Sequence, residues 1–229
     1  MTRPDREPGR DQGEPADKEA SSEEASSRDA SSGEASPREG PFKEGPGLVA
    51  DLVIDRPIAL VGLMGAGKST VGRRLAAALK LPFLDADHEI ERAAGLSVAE
   101  IFARHGEAEF RRGERSVITR LLNDPPHVLA TGGGAFMDPD TRAAMREKAI
   151  TIWLKAPLEE LLRRVGKRDD RPLLKTGDPR AVMRKLMEER YPVYAEADLA
   201  VESSASPHNA AVLAVIEALK SYYAARTQA

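Results

Sequence analysis

The chain has no cysteine, which excludes a disulfide framework and a thiolate-bound metal. No apolar run approaches the length needed to cross a bilayer, and the N-terminus lacks the basic-then-apolar layout of a secretory signal. The acidity of the first residues also argues against an organelle transit peptide. A cytoplasmic protein without membrane partners is expected. A strongly basic balance is missing too: the formal net charge at pH 7 is −3. Residues 1–47 hold 12 acidic and 7 basic side chains, a net −5, so residues 48–229 carry +2. That mildly basic remainder suits anionic small molecules and gives no strong nucleic-acid signal.

Residues 1–47 also lack anything to bury. Ala, Ser, Glu, Gly and Pro dominate, and Phe42 is their only aromatic residue. A pentad that starts at Ala20, Ala25, Ala30 and Ala35 repeats an Ala-Ser opening, far too short a period for a solenoid unit. The expectation is a low-complexity acidic tail, disordered for want of apolar surface, ahead of one folded domain over 48–229.

Against these absences stands one dense motif. Gly62-Leu63-Met64-Gly65-Ala66-Gly67-Lys68-Ser69-Thr70 fits the phosphate-loop pattern G-x-x-x-x-G-K-[ST]. An apolar run, Ile58-Ala59-Leu60-Val61, leads in, and an amphipathic segment beginning near Ser69 leads out. Glycines let successive backbone N–H groups face phosphate oxygens, and a helix N-terminus adds its partial positive charge. In this pattern Lys68 reaches the β- and γ-phosphates and the Ser69 hydroxyl ligates Mg²⁺. The chain is expected to bind a nucleoside triphosphate through Gly65, Ala66, Gly67, Lys68, Ser69 and Thr70.

Downstream, short apolar runs alternate with helical patterns. Val71, Leu75 and Leu79 recur every fourth residue along one helix face, which ends before Leu81-Pro82. Phe83-Leu84 reads as a strand ending in the acids of Asp85-Ala86-Asp87, and a helical stretch over 88–123 is punctuated by Gly95 and Gly106. Residues 127–130 form a strand that runs into Thr131-Gly132-Gly133-Gly134. A helix over 140–148, a strand over 149–154, a helix from Pro157 towards Arg164 and a polar stretch over 167–177 follow. A helix through Met183, Leu186 and Met187 should end near Tyr191-Pro192, before a last strand over 198–201. Ser206-Pro207 opens the closing helix, with Val212, Leu213, Ile216 and Leu219 expected to face inward. Such alternation predicts an α/β fold: a P-loop-type parallel sheet flanked by helices on both faces.

Two further absences narrow the activity. No N-K-x-D segment is present to read a guanine base, and the strand over 127–130 ends in glycine rather than in a Walker-B acid. The acid of the metal shell must come from elsewhere, and Asp85 at the preceding strand end is the natural candidate. About 180 residues leave room for one nucleotide domain with small lids, not for a motor. A small kinase fits best.

The phosphate loop continued through Val71-Gly72-Arg73, the Asp85-x-Asp87 pair, Phe110-Arg111-Arg112, the glycines 132–134, Arg171-Pro172-Leu173-Leu174 and Arg190-Tyr191-Pro192-x-Tyr194 together resemble shikimate kinase. The resemblance covers nearly all of residues 57–220 and leaves the first 47 without counterpart. It implies an ATP- and Mg²⁺-dependent kinase that phosphorylates the 3-hydroxyl of shikimate in aromatic amino-acid biosynthesis, acting as a monomer. It implies that Asp87 binds the attacking hydroxyl and orients or deprotonates it, that Asp85 sits near Mg²⁺, and that Arg111 and Arg190 clamp the carboxylate. Guanidinium forks suit that planar partner as lysine cannot. Gly133 would offer its backbone N–H to the ring, and Arg171, in a lid over about 166–178, would neutralise the transferring phosphoryl group. Relatives contact adenine from the loop before the last helix, but residues 203–207 offer neither Arg nor Gln. Arg164 or backbone groups are left for that role.

Duller readings stand beside these. Asp85 and Asp87 also suit a turn after a strand, and Glu114, three residues after Arg111, can pair with it on one helix face. His88, His105, His127 and His208 are scattered and read as surface or packing residues, and Trp153 as core. Other small-molecule kinases (gluconate or nucleoside monophosphate) and a non-catalytic nucleotide sensor are the alternatives.

Overall fold

Five strands and seven α-helices alternate along the chain in a computed structural model that describes residues 52–166, 178–203 and 208–227. The tail 1–47, Arg171, the whole polar stretch over 167–177 and the Ser206-Pro207 helix start lie outside the described residues.

The strands are β1 (Ile58–Val61), β2 (Phe83–Asp85), β3 (Val128–Ala130), β4 (Ile150–Lys155) and β5 (Leu199–Glu202), all parallel, in the order β2-β3-β1-β4-β5. All four residues of β1 are buried, as expected of a central strand covered on both faces. Helix α1 (Lys68–Leu79) and the closing α7 (His208–Thr227) pack together over one face. The connections β2–β3, β3–β4 and β4–β5 all step the other way along the sheet, so right-handed crossovers place their helices on the opposite face. These are α2 (Ala86–Ala94), α3 (Val98–Leu121), α4 (Pro139–Lys148), α5 (Leu158–Val165) and α6 (Pro179–Tyr194). The connection leaving β1 runs the opposite way to those leaving its neighbours β3 and β4, and ligands of such sheets bind beyond the carboxyl ends of the strands where connections diverge.

Register levels the site. Leu60 and Asp85 both lie beside Ala130, so the phosphate loop, the acid pair and the glycine run leave the sheet at one height.

Several expectations need correction. The stretch over 88–123 is two helices: Asp85 caps α2, which therefore starts at Ala86, and Ser97 opens α3 with a capping box to Glu100. The closing helix buries Val212, Val215, Ile216 and Leu219, while Leu213 faces outward at 40% exposure. Helical spacing explains it: 212, 215, 216 and 219 share one face, and 213 lies about 100° around from 212. Helix α6 does not stop at Tyr191-Pro192 but continues to Tyr194. Pro192 removes one helical hydrogen bond and strains the turn before it. The burial of Tyr194 beside Trp153, and a hydrogen bond of 2.7 Å from the Tyr191 hydroxyl to the Ala156 carbonyl, hold that last turn in place.

The segment entering β1 is tied to α7. Asp55 N–H donates to the Tyr223 hydroxyl at 3.2 Å, and that hydroxyl donates to Asp55 Oδ1 at 2.7 Å, with Arg56 on the same carboxylate at 3.1 Å. The Arg56 guanidinium and then the Tyr223 hydroxyl hold the Asp55 carboxyl down to about 2. A depressed carboxylate stabilises the fold above the ordinary carboxylate range, and that contribution is lost as pH falls towards 2. Half-exposed pairs contribute little, so Asp55→Asn should lower Tm by about 1–4 °C at neutral pH. In thermal melts the gap to the parent should close as pH falls below about 4.

Candidate active site

Gly67 caps α1 with φ 95°, a left-handed backbone that favours glycine, and so turns the chain from the phosphate loop into the helix. Lys68 folds back over the loop, donating from Nζ to the carbonyls of Gly62 at 2.8 Å and Leu63 at 2.9 Å. Ser69 Oγ donates to Asp85 Oδ2 at 2.7 Å. The two residues expected at the metal are thus adjacent although 16 positions apart. Asp85 also accepts from the backbone N–H of Asp87 at 3.2 Å, which seats Asp87 in the first turn of α2, where the helix dipole favours a carboxylate.

The glycine run gathers the rest. A side chain at Gly132 would place Cβ 2.7 Å from Glu114 Oε1 and 3.3 Å from Asp87 Oδ1. At Gly134 a Cβ would lie 2.6 Å from both Nη atoms of Arg111. Both glycines are therefore room for functional groups. Gly133 is different: a Cβ there would meet only ordinary contacts, the nearest being Met64 N at 3.5 Å. Its carbonyl accepts from Arg190 Nη1 at 3.0 Å and from the Tyr194 hydroxyl. Three successive glycines thus carry Asp87 with Glu114, Arg190 with Tyr194, and Arg111.

Arg111 is anchored by Glu114, whose Oε2 accepts from Nη1 at 2.7 Å. Glu114 is buried, and its Oε1 has no hydrogen-bond partner among the described residues. Burial pushes the Glu114 carboxyl up, the Arg111 guanidinium pulls it down, and the charges of Asp87 and Asp138 push it up again. Burial also pushes the Tyr194 phenol up to about 12, so it stays a neutral donor to Gly133.

Two guanidinium forks, the phosphate loop and two carboxylates meet at one glycine run, an arrangement that can seat a small anionic molecule beside a nucleotide phosphate. A family model described as shikimate kinase matches residues 64–220. The chain belongs to the shikimate kinase family. Shikimate kinases of Caulobacter vibrioides and Paramagnetospirillum magneticum are 58% and 59% identical to it over 169 residues, 74% of this chain and 84% and 87% of theirs. A solved shikimate kinase from Acinetobacter baumannii in complex with shikimate is 38% identical, with TM-score 0.70, over 73% of this chain and 94% of that one.

The shikimate kinase fold also shows where Arg164, the candidate for the adenine contact, sits. Arg164 Nη1 reaches the carbonyls of Gly65 at 3.3 Å and Ala66 at 3.2 Å and Ser203 Oγ at 3.1 Å, bracing the phosphate loop. The Ser203 hydroxyl donates to the Ala66 carbonyl at 2.9 Å. Tyr194 at Gly133 and Glu107 at Arg111 were not foreseen. Each lies four residues from an arginine of the site (Arg190 and Arg111), one helical turn away, and that spacing was the available signal.

Among the described residues no group of three or more His, Asp or Glu could hold a metal alone. The Ser69–Asp85 pair still suits Mg²⁺, which takes few protein oxygens and completes its shell with water and phosphate. No helix among the described residues is long and apolar enough to cross a membrane.

Proposed function

We propose that this chain transfers the γ-phosphoryl group of ATP to the 3-hydroxyl of shikimate, the acceptor implied by its family. The observation that carries the reading is the glycine run, which brings Asp87, Arg111 and Arg190 beside the phosphate loop. Gly65, Ala66, Gly67, Lys68, Ser69 and Thr70 hold the phosphates, and Arg164 lies beside them. Ser69 and Asp85 would hold Mg²⁺, which would supply positive charge against the phosphates. Arg111 and Arg190 fix the substrate carboxylate, and Gly133 offers backbone to the ring. Asp87 takes the hydrogen bond of the attacking hydroxyl and orients or deprotonates it. Arg171, outside the described residues, supplies a further positive charge on closure. Phosphoryl transfer asks mainly for positioning and charge neutralisation, so these groups suffice. The reading extends to a monomer working in the cytoplasm, with residues 48–229 as the catalytic unit.

ADP release by the purified chain with MgATP tests it, comparing shikimate, gluconate and AMP at equal concentrations. Turnover with shikimate alone is expected. Turnover with gluconate or AMP instead, or with none of them, would overturn the assignment.

A further inference from the structure

A guanidinium meets a carboxylate with paired N–H groups along two edges, Nη1–Nη2 and Nε–Nη2, and in Arg111 the first is engaged through Nη1. Nη1 is held by buried Glu114 at 2.7 Å. Gly134 packs against the same guanidinium, where a Cβ would come within 2.6 Å of both Nη atoms and 2.7 Å of Cζ. The edge left is Nε–Nη2, and there Glu107 Oε1 accepts at 3.4 Å and 3.2 Å. The two glutamates differ in kind. The Glu114 side chain is 3% exposed with a short contact, whereas that of Glu107 is 68% exposed with long ones. Short, buried, charge-assisted bonds persist, while long exposed ones exchange with solvent and with other anions.

Glu107 is placed there by the backbone. Gly106, in the middle of α3, has φ 80° and ψ 175°, a region open to glycine almost alone. Nothing lies within 4 Å of a Cβ built on it, so the glycine is there for the chain path and not for room. The break restarts the helix at Glu107, whose charge suits a first turn, and sets Arg111 one turn on.

We infer that Glu107 is an internal stand-in for the substrate carboxylate, occupying the one open edge of Arg111 until substrate displaces it. Binding is then an exchange of carboxylates on a guanidinium that is never left without an anion. Glu107 is a specificity-determining competitor: neutral analogues of the acid cannot displace it, and the carboxylate acid can. This rests on the proposed role of Arg111.

The test is Glu107→Gln, read by steady-state kinetics and by calorimetric titration of shikimate into the nucleotide-free chain. Removing the competing charge should lower KM and Kd for shikimate about two- to fivefold, the range of an exposed ion pair, with kcat and KM for ATP within about twofold. A raised KM would make Glu107 a support of Arg111, and an unchanged KM and Kd a bystander; either overturns the inference. The parent enzyme serves as control. If it turns over shikimate, only the role of Glu107 is at stake. If it turns over none, the assignment of function fails with it.

Discussion

Asp87→Asn should lower kcat for shikimate phosphorylation by about 10²–10⁴-fold, the usual contribution of a positioned general base, while MgATP still binds. Asparagine keeps the shape and one acceptor oxygen but cannot take a proton from the attacking hydroxyl. Asp87 lies in the first turn of α2, and Gly132 leaves its Oδ1 room beside the glycine run. The same substitution removes a negative charge that pushes the buried Glu114 carboxyl up, so the fold should be eased rather than strained. Tm is therefore expected to hold or rise while turnover collapses, which separates chemistry from stability. Steady-state ADP release, an ATP titration and a thermal melt check all three, and unchanged kinetics would remove Asp87 from the reaction.

Gly134→Ala should raise KM for shikimate by about 10–100-fold, matching the loss of one charged hydrogen-bonded contact. Gly134 has φ −98° and ψ −15°, a backbone that alanine adopts without strain. Its Cβ would nonetheless collide with the Arg111 guanidinium, the far end of a partly exposed side chain that can swing away. The backbone should therefore survive and the fork be lost. KM for ATP is expected to stay within about twofold and Tm within a few degrees. A shikimate KM equal to the parent's would show that Arg111 does not hold the carboxylate.

Where pattern and physics are local, sequence and structure agree. Residues 58–61 form β1 as the apolar run indicated, and Gly67, Lys68 and Ser69 turn the chain into α1. Asp85 ends β2, as the run Phe83-Leu84 into the acids indicated, and its carboxylate accepts from Ser69. Disagreement comes where distant partners outweigh local preference. Pro192 should end α6, but Tyr191 and Tyr194 are bound to Ala156 and Gly133, elements far away in the chain, and the helix continues. Gly95 and Gly106 could be seen to punctuate one stretch, but not that Gly106 would bend a helix while Gly95 would close one.

The sequence by itself determined the chemistry on offer: a phosphate loop, two acids at a strand end and three glycines in a row, while Arg111 and Arg190 were tied to a carboxylate only through the family resemblance. Those choices are legible because each is made within a few residues, by the φ a loop needs or by the charge a phosphate needs. Only the tertiary structure decided how the three glycines divide their work, with Gly132 making room for carboxylates, Gly134 for Arg111, and Gly133 lending its carbonyl to Arg190 and Tyr194. That division depends on approaches of a few ångströms between β3, α2, α3 and α6. The parallel sheet sets those distances by ordering its strands out of sequence, and no local spacing encodes them.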